Sequence, residues 1–371
     1  MKAHRTLVIK RPLRLFTEEE RNALVRVLTR VDALGNLWAR GYQVHPPDIS
    51  PKFTYEFNYF KNEISFNNGV KLPKAWLAKV HAMLNVRVRI NNERQYGEGA
   101  FIDLPKSELR LRWVIKDRAI VINLTESEVK YIKDRLNEGG RPKLARAWVE
   151  NGFLHIAIIF EREVQPIQPS EYRLVIDVNS WRNGIVWALI KDDLISSLSR
   201  ERPDLGRIER LYGKVLILER KYGVMKRLGL HKTAEGKRLW RKIKRLRRRL
   251  YAILRDFAQK LVHKLVRKAI KYKALVVIDD VIEESRRELL EDGLDNGLAK
   301  YYLVYLRRFV KLLINQLTWY GVPYQFKRLP STICSQCGHE LRQLPGRTME
   351  CPKCGYREDR DLIPIRWAMI I

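Results

Sequence analysis

Four cysteines, the only ones in 371 residues, all fall between positions 334 and 354, as Cys334-Ser335-Gln336-Cys337-Gly338 and Cys351-Pro352-Lys353-Cys354-Gly355. Two thiolates three residues apart reach one tetrahedral ion where the chain bends sharply, and the glycine after each pair relieves the backbone at that bend. Four sulfur ligands close the coordination sphere, so a single structural Zn2+ on Cys334, Cys337, Cys351 and Cys354 is expected. The competing readings are reducible thiols or two redox C-x-x-C pairs.

Around this cluster the pattern is that of a folded, strongly basic chain. Lys and Arg number 72 against 42 Asp and Glu, a formal charge of +30. That balance points to a polyanionic partner, nucleic acid or an anionic membrane, and 46% hydrophobic residues exclude a disordered basic tail. No apolar run reaches the roughly 18 residues of a membrane span, and the apolar stretch near the N-terminus is too short for a signal-peptide core. A cytoplasmic protein without membrane contact is the expectation.

Along the chain, Leu7-Val8-Ile9 predicts a short strand, and Thr17 with Glu20 a capping box opening a helix that runs to Gly35. A helix is expected over 73–92. Residues 109–161 read as antiparallel β, with Asn151-Gly152 as a two-residue hairpin turn. The arginines alternating on these strands, Arg110 and Arg112, suit a solvated or a phosphate-facing surface equally. After a linker at 165–170, buried-type strands at 174–176, 184–190 and 275–278 alternate with long helices, the pattern of an α/β domain. Between them, residues 237–271 carry 15 Lys and Arg against one acid, Asp256. Trp240, Ile243, Leu246, Leu250, Leu254, Phe257, Leu261 and Leu265 form an apolar stripe along the same segment. One face packs and the other is a row of cations including Lys242, Arg245, Arg248 and Arg249, fit for a nucleic-acid backbone or, more blandly, for solvent.

Three acids stand out by position. Asp177 and Asp279 end buried strands, and Asp361 precedes a final apolar helix over 362–371. Taken singly, each reads as a turn or helix cap. Taken together at a sheet's carboxyl edge, they would hold divalent cations such as Mg2+.

At this point the chain resembles the TnpB (OrfB) family of insertion-sequence RNA-guided endonucleases, related to type V CRISPR effectors. The resemblance rests on Val175-Ile176-Asp177-Val178-Asn179, Val276-Val277-Ile278-Asp279-Asp280-Val281, the two cysteine pairs, and Asp359-Arg360-Asp361-Leu362-Ile363, in order from about 171 to 371. It implies an α+β multidomain protein: a wedge β-barrel (1–14 and 101–165) with an inserted helical recognition domain (15–100). After these would come an RNase H-like RuvC domain (171–330 and 357–371) with an inserted zinc ribbon (331–356). It further implies two catalytic Mg2+ ions on Asp177, Asp279 and Asp361, a guide RNA from the transposon end, and cleavage of double-stranded DNA beside a short flanking motif. The family usually has Glu where Asp279 stands, and Asn where Ile363 stands. The shorter carboxylate keeps a second reading open, a nuclease-inactive, RNA-guided DNA-binding regulator. A zinc-ribbon nucleic-acid binder without a guide is the third.

Overall fold

The computed structural model describes residues 1–39, 82–90, 100–115, 118–178, 184–280 and 296–370. Asn179, Val281, the Lys116-Asp117 turn and the parts of the expected 73–92 helix before residue 82 and after residue 90 lie outside these. The chain divides into two compact units, Met1–Glu163 and Val164–Ile371, and none of its described helices is long and apolar enough to cross a membrane.

The first unit comprises β1 (Lys2–Pro12), α1 (Glu18–Ala39), β2 (Ala82–Arg89), β3 (Ala100–Asp103), β4 (Glu108–Ile115), β5 (Arg118–Asn123), α2 (Glu126–Asn137), β6 (Arg141–Glu150) and β7 (Phe153–Glu163). Its sheet runs β1-β7-β6-β2-β3-β4-β5. Thr17 and Glu20 form the expected capping box, the Thr17 N–H donating to Glu20 Oε2 at 2.9 Å and the Glu20 N–H to Thr17 Oγ1 at 3.3 Å. Helix α1 continues through Gly35 to Ala39, since a single glycine costs a helix only about 1 kcal/mol. The hairpin between β6 and β7 turns at Asn151 (φ 52°) and Gly152 (φ 77°), both positive as a two-residue turn requires.

Two expectations fail here for identifiable reasons. Residues 82–89 form a strand rather than the end of a helix, because Val86-Arg87-Val88-Arg89 alternates with period 2. Within the stretch expected to be all β, Thr125 opens α2: its hydroxyl caps the Glu128 N–H and the Glu128 carboxylate reaches back. On the sheet, Asp103, 1% exposed, takes Arg89 as its ion partner, with Arg110 at 3.8 Å. Burial alone would raise the Asp103 pKa, but the guanidinium and the Lys106 N–H bonded to it hold it below the ordinary value. Arg110 also pairs with Glu108 at 2.7 Å, so it belongs to an internal charge network.

The second unit comprises β8 (Tyr172–Asp177), β9 (Ile185–Lys191), β10 (Leu194–Glu201), α3 (Leu205–Arg227), α4 (Ala234–Tyr272), β11 (Leu275–Asp279), α5 (Asn296–Tyr320), β12 (Tyr324–Lys327), β13 (Arg342–Gln343), β14 (Thr348–Glu350), β15 (Arg357–Asp359) and α6 (Ile363–Ile370). The main sheet runs β10-β9-β8-β11-β12. Strand β11 lies parallel to β8 and β12, while β9 and β10 return antiparallel.

Strand alternation sends alternate residues to opposite faces, and the two faces have different covers. Leu174, Ile176, Trp187, Val276 and Ile278 pack against α4 and α5 through Leu254, Leu261, Leu265, Phe309 and Leu313. Val175, Ala188, Ile190 and Val277 pack against α6 through Ile365 and Ala368. Helix α6 starts with Pro364 inside its first turn, where a missing N–H costs nothing. Its last carbonyls, of Ala368 and Met369, accept from Arg173 at 2.9 and 3.2 Å. Gly184 opens β9 with φ 73°, and a Cβ there would sit 2.0 Å from the Glu201 carbonyl oxygen, so only glycine fits that corner.

Candidate metal and nucleic-acid sites

The cysteines converge. Their four sulfurs lie within 4.8 Å of one another, with Cys334 and Cys354 at 3.6 Å and Cys337 and Cys351 at 3.4 Å. A tetrahedron of sulfurs about 2.3 Å from a metal has edges of about 3.8 Å, so the spacing suits one Zn2+. No pair is oxidised to a disulfide. Each knuckle is built alike. The Gly338 N–H donates to the Cys334 carbonyl at 2.9 Å and the Gly355 N–H to that of Cys351 at 3.0 Å, with both glycines at positive φ, 70° and 73°. The thiols share protons unequally. Desolvation would push the Cys351 pKa up, but the backbone N–H groups of Cys354 and Lys353 and the neighbouring thiols bring it down to about 6. The Tyr356 N–H favours the Cys354 thiolate, yet desolvation and the surrounding sulfurs push that pKa up to about 12.

The three-stranded ribbon β13-β14-β15 carries this cluster and is tied to the main sheet through α6. Trp367 on α6 donates its indole N–H to the Ile333 carbonyl at 2.9 Å, and Ile363 packs with Cys334, Cys351, Leu341 and Met349. Glu350 on β14 is gripped by Arg342 and Arg357, whose hydrogen bonds hold its carboxyl below the usual range.

The acids follow from strand register. Ile176 pairs with Ile278 on the parallel strands β8 and β11, so the next residues, Asp177 and Asp279, stand at the same level on adjacent strands about 4.8 Å apart. Both share the parity of Val175 and Val277, which puts them on the α6 face. Asp361 lies two residues before α6. The three are 4%, 0% and 2% exposed. Among the described residues, the cysteines form the one group of three or more potential ligands gathered within 4.8 Å, so the carboxylates are a looser set.

Buried carboxylates need partners, and these acids have them. Asp279 Oδ1 accepts the Leu329 N–H at 2.9 Å. Asp361 pairs with Arg347 of the ribbon and lies 3.9 Å from Arg200 of β10. Arg200 also binds Asp359 Oδ2 at 2.6 Å, while Asp359 Oδ1 accepts the Asp361 N–H at 2.9 Å. Asp280 is exposed, beyond the end of β11. Arg347 and Arg200 had no signal in the sequence, because each meets Asp361 only through the fold.

Helix α4 carries the cationic row. Ile243, Leu250, Leu254, Leu261 and Leu265 are buried as the stripe requires, and Lys242, Arg245, Arg248 and Arg249 are exposed. None of these four forms an ion pair among the described residues. By contrast, Arg247 pairs with Glu219 on α3 at 2.7 Å and Trp240 stacks on Tyr222 with ring centres 5.1 Å apart. The row is therefore not a mixed-sign solvated face.

Residues 307–364 match the family described as Cas12f1-like, TNB domain. Among solved structures, the mini-RNA-guided endonuclease CRISPR-Cas_phi3 is similar at a TM-score of 0.41 and 10% identity, over 71% of this chain and 57% of that one. CasPhi-2 (Cas12j) bound to crRNA is similar at a TM-score of 0.34 and 12% identity, over 76% and 64%. The chain thus spans less than two thirds of either structure. No curated protein sequence matches it. The matched segment includes both cysteine pairs and Asp361, and over residues 307–364 the resemblance of this chain to TnpB-like RNA-guided endonucleases is borne out.

Proposed function

We propose that the chain is a transposon-associated, RNA-guided endonuclease that cuts double-stranded DNA at a guide-matched site beside a short flanking motif, with Asp177, Asp279 and Asp361 as its catalytic carboxylates. The observation that supports this reading best is the register that brings Asp177 and Asp279 level on the face α6 covers, with Asp361 at the mouth of that helix. Two carboxylates at a sheet's carboxyl edge and a third just before α6, in a chain of charge +30, are a hard-oxygen donor set suited to Mg2+. Magnesium ions bound there would lower the pKa of an attacking water and offset the charge developing on the phosphodiester.

The chain's own residues do the rest. Asp279 is oriented by the Leu329 N–H, and Asp361 by Arg347 and Arg200. These arginines also place positive charge where a phosphate would enter. The exposed cations of α4 would follow the backbone of a guide RNA or its DNA heteroduplex, while base pairing selects the target. The four cysteines would hold Zn2+ as a structural ion, and the protein would act in the cytoplasm.

The test is cleavage of a plasmid library carrying one guide-matched target with randomised flanks, by protein loaded with its guide RNA. Mg2+-dependent double-strand breaks beside one enriched flanking motif are expected; no breaks, or breaks independent of the guide, would overturn the reading. Breaks absent alongside tight, guide-dependent DNA binding would favour the regulator instead, the reading suggested by the short Asp279 side chain, which already accepts the Leu329 N–H.

For α4, neutralising Arg245, Arg248 and Arg249 together should make log Kd for guide RNA less steeply dependent on log salt. The slope should fall by about 2, since each phosphate contact contributes roughly 0.7–0.9. An unchanged slope in a salt titration would return the row to plain solvation.

A further inference from the structure

The acids are part of a longer row. Arg200 on β10 pairs with Val186 on β9, Val186 with Asp177 on β8, and Asp279 on β11 with Lys327 on β12. Because Asp177 and Asp279 are themselves level, the sheet presents Arg200, Val186, Asp177, Asp279 and Lys327 in one cross-strand line. Paired residues share a face, so a cation stands at each end of the acidic pair on the side α6 covers. The two ends differ. Arg200 is engaged by Asp359 and lies near Asp361. Lys327 is half-buried, one strand or about 4.8 Å from Asp279, and has no ion pair or side-chain hydrogen bond among the described residues. Its backbone is fixed, since its carbonyl accepts the Asp280 N–H at 3.2 Å. Strand β12 is also the edge strand of the sheet.

We propose that Lys327 binds a non-bridging oxygen of the DNA phosphate presented to Asp177 and Asp279, fixing the strand against the carboxylates. A phosphate brought to two buried acids needs compensating positive charge on its open side, and Lys327 is the cation of this row that no carboxylate among the described residues engages. The proposal rests on the nuclease reading above. Its rival is that Lys327 merely guards an exposed sheet edge, a common role for edge lysines.

Lys327→Arg, Lys327→Ala and Lys327→Glu separate these roles. In guide-loaded protein at saturating matched DNA, Lys327→Ala and Lys327→Glu should slow cleavage by about 100-fold, the scale of removing one preorganised donor. Lys327→Arg should stay within about 5-fold. Affinity for target DNA should change by less than about 3-fold throughout, because one phosphate contact among many is lost. Thermal unfolding and zinc content should match the wild type. An edge guard works equally well with Glu, so cleavage by Lys327→Glu within 2-fold of wild type overturns the proposal and leaves the nuclease reading standing. A wild type that holds guide and target without cutting overturns both.

Discussion

Asp177→Ala is expected to reduce guide-dependent DNA cleavage by at least about 100-fold, while guide and target affinity stay within about 3-fold of wild type. Asp177 has neighbours on both sides that make its role testable. Its backbone lies in the sheet between β9 and β11, so removing its carboxylate leaves the ladder intact. Its level partner is another acid, so the substitution also removes like-charge repulsion from a buried site, and thermal stability should hold or rise slightly. A purely structural cap at the end of β8 would behave in the opposite way: stability would fall and cleavage would follow it in proportion. Asp177→Asn keeps the volume and hydrogen-bonding capacity while losing the charge, and should be as inactive as the alanine variant. Cleavage by either variant at the wild-type rate would remove Asp177 from the site.

Stripping metal from the ribbon should have the second large effect. About one Zn2+ per chain is expected in purified protein, and Cys351→Ser should abolish it. The consequences reach beyond the ribbon. Cys351 and Cys334 share a buried cluster with Ile363, and Trp367 is hydrogen-bonded to Ile333, so a collapsed ribbon loosens α6. Helix α6 covers Val175 and Val277 beside the acids, and Arg347 would leave Asp361. A loss of even about 3 kcal/mol would lower the Tm by roughly 6–12 °C for a unit of this size. Cleavage should be lost together with the metal. Native thiols that react freely with a thiol reagent in metal-replete protein would contradict a closed four-cysteine site.

Sequence patterns reported these features unevenly, for physical reasons. The strands at 174–176 and 275–278 are uniformly apolar, and the α4 stripe from Trp240 to Leu265 repeats over about seven turns, so each announces its period. The ends of β8 and β11 were readable because an acid follows an apolar run. Helix α2 was hidden between strands although Thr125 and Glu128 spell a capping box, since its buried face is narrow, Ile132 and Arg135 alone. Strand β10 alternates only half-buried and exposed residues, so it lacks an apolar face to recognise. Arg347, Arg200 and Lys327 could not be found at all, because what places them is register and packing between segments far apart in sequence.

Guidance by RNA is tested by expressing the protein with its native flanking DNA, purifying it at high salt, and sequencing the RNA that stays bound. One discrete species with a constant scaffold and a 3′ segment reading out of the locus is the predicted result. Random fragments, or no RNA, would contradict it.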